Sequence, residues 1–402
     1  MQRSGWISRV VARGAKAAPM IILAFASATA QLAPIQTYKT LHRFSGGQDG
    51  AEPLATVILD NAGNLYGTTS QGGNLKCFAP NGCGTIFKID AAGNKTVLHI
   101  FNLTDGAGPQ AALIHDEAGN FYGTTGYGGT FGYGTVFKMD VTGSETVLHS
   151  FTGGRDGALP FGSLVRDSAG NLYGTTHSGG GSLSCYYIGG VDYCGVVFKL
   201  APTGKLTVLH RFDGSDGEWP ETGLVRDSEG NLYGTTSGGR DNYGIVFKVD
   251  HTGKFSVLHA FLDPYSDGEY PNSTLILDQA GNLYGTTMLG GTVFKIDATG
   301  KETTLYRFGL RAGIWPSGNL VRDAAGAIYG TTQYGGHCQR RIGCGTIYRL
   351  DTNGQETVLH KFGRGPGRVP KGGLVMDSAG TLYGTTWEPY GPSFGSVFKL
   401  VP

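Results

Sequence analysis

Past residue 30 the sequence has no long amphipathic helical pattern, no apolar run long enough to cross a membrane, and none of the CxxC or HxxxH spacing that a zinc site requires. It also lacks an excess of charge. With 32 basic and 31 acidic side chains the formal net charge is +1, so neither nucleic acid nor an anionic membrane is expected as a partner. What remains is material for strands and turns. Gly (69) and Pro (16) make up about a fifth of the 402 residues without any collagen-like triplet, while aromatic and β-branched residues stay abundant. That composition argues against disorder and for a turn-rich β protein.

The first 30 residues have a different grammar. Arg3, Arg9, Arg13 and Lys16 precede the apolar run "APMIILAFASATA", which closes on Ala28-Thr29-Ala30. This is the pattern of a cleavable secretory signal, residues 1–30, with the mature chain starting at Gln31. The run falls short of the ~20 residues a spanning helix needs, so an uncleaved anchor is the lesser reading and no membrane span is expected in the mature chain. The six cysteines agree with export. They form three close pairs, Cys77 with Cys83, Cys185 with Cys194, and Cys338 with Cys344, read as three local disulfides formed in an oxidising compartment.

The dominant feature is repetition. The string "YGTT" begins at Tyr66, Tyr122, Tyr173, Tyr233, Tyr284, Tyr329 and Tyr383. Each copy is preceded by an apolar stretch ending in Asp, such as "LVRD", and followed by "GTVFK", a "TG" or "AG" turn and "TVLHSF", or variants of these. The four segments, A to D, read as short strands separated by turns. Seven four-strand units of this length predict an all-β, seven-bladed β-propeller occupying residues 31–402 as a single domain. The chain opens with a lone D segment at 38–44 and ends with a C segment at 395–400. The first strand is therefore expected to complete the last blade and to leave no open edge.

The repeated residues read as scaffold. The aspartates of "DSAGNLY" (Asp60, Asp116, Asp167, Asp227, Asp278, Asp323, Asp377) are expected to fix A-to-B turns. The "YGTT" glycine is expected to lie under an aromatic ring from the neighbouring blade. The D-segment histidines (His42, His99, His149, His210, His259, His360) read as packing residues on outer strands, neither metal ligands nor catalysts. The D-to-A loops carry "GGxDGxxP" with Asp49, Asp105, Asp156, Asp216 and Asp267; Asp-Gly turns are preferred there to a calcium site, which wants six to eight converging oxygens.

The combined signature, "GTVFK.D..G...VLH.F.GG.DGA.P...L..D..GNLYGTT..GG", resembles the GloVer tandem repeat family of exported bacterial proteins over residues 38–402. The resemblance implies a repeat domain on or outside the cell envelope, in the periplasm, at the surface or secreted. It brings no reaction or catalytic residues. Some relatives carry varied C-terminal anchors, and no such segment is seen here.

Function is therefore sought in what varies. The residue before the loop proline reads Glu52, Gly108, Leu159, Trp219, Tyr270, Trp315 and Val369. Three consecutive blades thus offer large aromatics on one face, suited to sugar rings or an extended peptide. The residue after the proline reads Leu54, Gln110, Phe161, Glu221, Asn272, Ser317 and Lys371, and is expected to line the channel mouth. Glu221 is its only carboxylate, and no histidine is expected at that level. Arg166, Arg226 and Arg322 are expected to pair with neighbouring turn aspartates. The expectation is a binding protein for glycan or for another envelope or extracellular protein, with Trp219, Tyr270, Trp315, Gln110, Glu221 and Asn272 as contacts. No catalytic residue, metal or cofactor is assigned. The alternatives are an extracytoplasmic metal-assisted lactonase or lyase centred near Glu221, and a structural envelope protein.

Overall fold

The computed structural model describes residues 36–402 apart from 183, 186, 189–190, 240–241, 264, 337–343, 364–366 and 389–393, with backbone alone at 187 and 188. The expected signal at 1–30, Tyr186 and Cys338 lie outside the described residues. Apart from a 3-10 turn at Gly47–Asp49, the regular elements are strands. None of the described residues form a helix long and apolar enough to cross a membrane.

Seven antiparallel sheets in the order A-B-C-D make a seven-bladed propeller. The first blade is Ile58–Leu59, Leu65–Thr69, Thr85–Ile89 and Lys95–Ile100. The seventh takes Leu374–Met376, Leu382–Thr386 and Ser396–Val401 from one end of the chain and Thr37–Arg43 from the other. The N-terminal strand pairs with the C-terminal one from Thr37 opposite Val401 to Arg43 opposite Ser396. This is the closure that the order of segments predicts.

Every residue of the repeated string has a separate job. Asp60 Oδ1 accepts from the Ala62 and Asn64 amides at 2.9 and 2.8 Å, and Oδ2 accepts from Asn64 Nδ2 and the Tyr66 hydroxyl at 2.8 and 3.1 Å. Burial raises this carboxyl, but the four donors outweigh it and hold Asp60 below its ordinary value. Gly67 faces Phe87 of the next strand, where an added Cβ would stand 2.7 Å from Phe87 Cζ. The ring over the glycine thus belongs to its own blade, because the pair sits in register across the B and C strands; the expectation of a neighbour's ring is corrected. In five of the seven copies the first threonine of the string reaches the next blade, as in Thr175 to the Thr222 carbonyl at 3.0 Å and Thr385 to the Ala55 carbonyl at 3.0 Å. The second pairs with the start of the C strand, Thr69 Oγ1 to Thr85 Oγ1 at 2.8 Å.

The core between blades repeats as well. The phenylalanine closing each D segment packs edge-on against the C-strand ring of the following blade, for example Phe44 on Phe87 at 5.2 Å and Phe212 on Phe247 at 5.3 Å. In the sixth blade Tyr348 stands in for that phenylalanine, against Phe308 at 4.7 Å. Such pairs contribute roughly 0.5–1.5 kcal/mol beyond the apolar area they bury, and there is one at every seam.

Candidate functional site

Bridges between the D-to-A and B-to-C loops, Ala51 with Gln71, Ala107 with Tyr127, Ala158 with Ser178 and Glu218 with Gly238, place both loop sets on one face. The proline-centred segment runs inward from there. The residue before each proline has positive φ in all seven blades, from 55° at Leu159 to 62° at Gly108. Six of the seven are not glycine, although a side chain in this region costs about 1–2 kcal/mol. The strain is held by hydrogen bonds on both sides. The Leu159 amide donates to the Tyr133 carbonyl at 2.9 Å, and the Leu159 carbonyl accepts from the His177 amide at 3.0 Å.

The clamp aims the next residue at the axis. Leu54, Gln110, Phe161, Glu221, Asn272, Ser317 and Lys371 all line one cavity of about 600 Å³, together with Tyr270, Trp315, Ser237, Met288 and Gln333. Of the proposed contacts, Gln110, Glu221, Asn272, Tyr270 and Trp315 therefore meet at one place. Trp315 is 37 % exposed and stands edge-on to Tyr334 at 5.1 Å. Trp219 does not line the cavity. Its ring lies parallel to His177, with centroids 6.4 Å apart, and backs onto Gly238.

His177 corrects the expectation that no histidine stands at this level. Its Nε2 is 3.2 Å from Glu221 Oε1, and its Nδ1 is 2.7 Å from Ser178 Oγ. Phe161 and Tyr193 each lie 5.7 Å from it, edge-on. The residue after "YGTT" in each copy reads Ser70, Gly126, His177, Ser237, Met288, Gln333 and Trp387. The signal is in this column, whose residues vary as those beside the proline do. Burial holds the Lys371 ammonium below its ordinary value, with Glu221 and Glu52 acting the other way, and Lys371 Nζ stands 5.1 Å over the Trp387 ring.

The loop aspartates turn outward. Asp49, Asp105, Asp156, Asp216 and Asp267 bind the Nε2 atoms of His42, His99, His149, His210 and His259 at 2.8–3.3 Å, and none of them lines the cavity. Arg166 and Arg322 lie over the rings of Tyr122 and Tyr284, at 5.8 and 5.1 Å. Burial raises Asp116, but its hydrogen bonds with Asn120 and Tyr122, with the Arg166 charge beside them, outweigh that and hold it below its ordinary value. Disulfides close Cys77 to Cys83 and Cys185 to Cys194, with Cα–Cα distances of 5.4 and 5.7 Å.

Among solved structures the chain is similar to a streptogramin B lyase, with TM-score 0.59 and 14% identity over 91% of this chain and 97% of that one. It is also similar to extracellular domains of two B. thetaiotaomicron proteins. One is a hybrid two-component system (TM-score 0.56, 16% identity) and the other a one-component system (TM-score 0.57, 13% identity). Each match covers 91% of this chain but 41% of the other, so the propeller spans about two fifths of those chains. At these identities the likeness is one of fold. No curated protein matches the chain. The Gloeobacter/Verrucomicrobia repeat model matches residues 28–188, 184–292 and 264–402, essentially the whole propeller, and the chain belongs to that repeat family.

Proposed function

We propose that the protein is an exported binding propeller that recognises glycan through the axial cavity and the aromatic residues around it. The observation that carries this reading is the convergence of the seven post-proline residues, each different, on one cavity, each behind a residue held at the same positive φ. Flat rings beside amide and hydroxyl groups suit a sugar, which offers an apolar face and a fringe of hydroxyls. Export is supported by the disulfide-closed loops and by the extracellular domains among the similar structures. A glycan array followed by titration calorimetry tests it. Trp315→Ala and Tyr270→Ala are expected to weaken the best glycan at least about tenfold, while Tyr265→Ala, 91 % exposed and outside the cavity lining, leaves it unchanged. Equal affinity in all four proteins would refute the cavity as the site.

The contact between His177 and Glu221 favours a second reading, a lyase or lactonase with this pair as acid and base. Turnover of a lactone or a uronate polymer, abolished by both His177→Asn and Glu221→Gln, would replace the first reading.

A further inference from the structure

The axial ring of post-proline residues contains one cation and one anion, and they stand across from each other. Glu221 belongs to the fourth blade and Lys371 to the seventh, as far apart as a seven-membered ring allows. Between them run Asn272 and Ser317 on one side and Leu54, Gln110 and Phe161 on the other. The two charges are not equivalently satisfied. Glu221 already has His177 at 3.2 Å. Lys371 Nζ makes no hydrogen bond or ion pair among the described residues and rests on the Trp387 ring at 5.1 Å. Glu221 and Glu52 favour the ammonium through space, but neither carboxylate lies within ion-pair distance of it, so a group that burial penalises has a ring face beside it and no contacting counter-charge. Asn272 lines the same cavity, and its Oδ1 is buried without a partner among the described residues, an unsatisfied acceptor that a turn of the amide would bring to a ligand hydroxyl.

Resting on the glycan reading above, we propose that the cavity takes an acidic glycan, with a ligand carboxylate on Lys371 and the hydroxyls of the same or an adjoining sugar on Asn272 and the Glu221–His177 pair. A uronic acid residue combines these groups within one ring. Its carboxylate supplies what Lys371 lacks, and its hydroxyls can donate to Glu221 and Asn272, which a second anionic group could not do. The Trp387 ring, which is not part of the cavity lining, supports the ammonium. Trp315 and Tyr270 stand in adjacent blades where the next sugar of the chain would stack.

The test compares a uronate oligosaccharide with its carboxyl-reduced counterpart, which keeps every ring and link and removes only the charge. Both are titrated into the full-length protein and into Lys371→Met, Lys371→Arg and Trp315→Ala. The wild type is expected to prefer the acidic form at least tenfold, with the preference shrinking at high salt and as pH rises toward the lowered lysine value. Lys371→Met should bring the ratio close to one, Lys371→Arg should keep most of it, and Trp315→Ala should weaken both ligands in proportion. Circular dichroism and thermal melting establish that the variants are folded, and Lys371→Gln replaces the methionine variant if it is not. If both forms bind the wild type equally, or if Lys371→Met keeps the preference, the carboxylate assignment is wrong while the glycan reading stands. If neither binds, the acidic-glycan assignment falls; if a glutamate-rich peptide binds and no glycan of the array does, the glycan reading falls with it.

Discussion

A tryptophan, a tyrosine and a valine held at positive φ ahead of a proline are residues that backbone sterics would place almost anywhere else. The hydrogen bonds on each side keep them there, and removing a Cβ should release part of the strain. Glu52→Gly is expected to raise stability by about 0.5–1 kcal/mol, the extra freedom of the unfolded glycine offsetting the rest. Gly108→Ala, at φ 62°, should lower it by about 1 kcal/mol. Urea denaturation midpoints measure both. The identity of these positions was legible in the sequence, because the column before the proline varies while its frame does not. Their conformation was not, since only Gly108 among the seven carries any mark of it. Trp219 shows a related limit. It occupies the same column as Trp315, yet its ring lies parallel to a histidine of a second column, centroids 6.4 Å apart, and does not line the cavity. A single column cannot reveal a contact between two.

Five of the seven outer seams join the end of one D strand, its loop aspartate and the beginning of the next blade's D strand. In the sequence the histidines read as packing residues. The aspartate that each one binds was hidden because the two lie six to eight positions apart, in loops of unequal length. The third member of the seam varies. At one seam Lys95 Nζ donates to Asp49 at 2.7 Å, and at another Phe255 stacks on His210 at 3.6 Å. The seam of His99 and Asp105 has Glu145 instead, with ligand-type atoms of all three within 4.8 Å of one another. Burial, reinforced by Asp105 and opposed by His99, pushes Glu145 up to about 7. A carboxyl whose folded value is raised binds more protons in the native state, so its contribution falls as pH climbs from about 4.5 through 7 and is flat above that. Because the group is half-exposed, the loss is expected to be about 1 kcal/mol. Glu145→Gln should melt higher than the wild type at pH 8 and similarly at pH 5, and Glu145→Lys, which copies the Asp49–Lys95 seam, should show the larger gain at pH 8. Differential scanning calorimetry across that interval checks both.

At the scale of the whole ring, architecture was the most legible level, because the order of segments alone requires the strand at 37–43 to lie beside the one at 396–401, as it does. Deleting residues 36–44 is expected to leave Ser396–Val401 as an open edge and to strip Phe44 from Phe87. The product should melt at least about 10 °C lower and self-associate on size-exclusion chromatography, while a synthetic 36–44 peptide restores part of the loss. A variant that stays monomeric with unchanged melting would mean that the ring does not depend on its closing strand.

The direction of that last ladder has a mechanical meaning. Thr37 pairs with Val401 at one end of the ladder and Arg43 with Ser396 at the other, so a force drawing residues 37 and 401 away from each other loads the bonds one pair at a time, as a zip is opened. Heat must break the whole clasp together, whereas tension need only peel it, and a propeller tethered at both ends would yield at this blade before any of the other six.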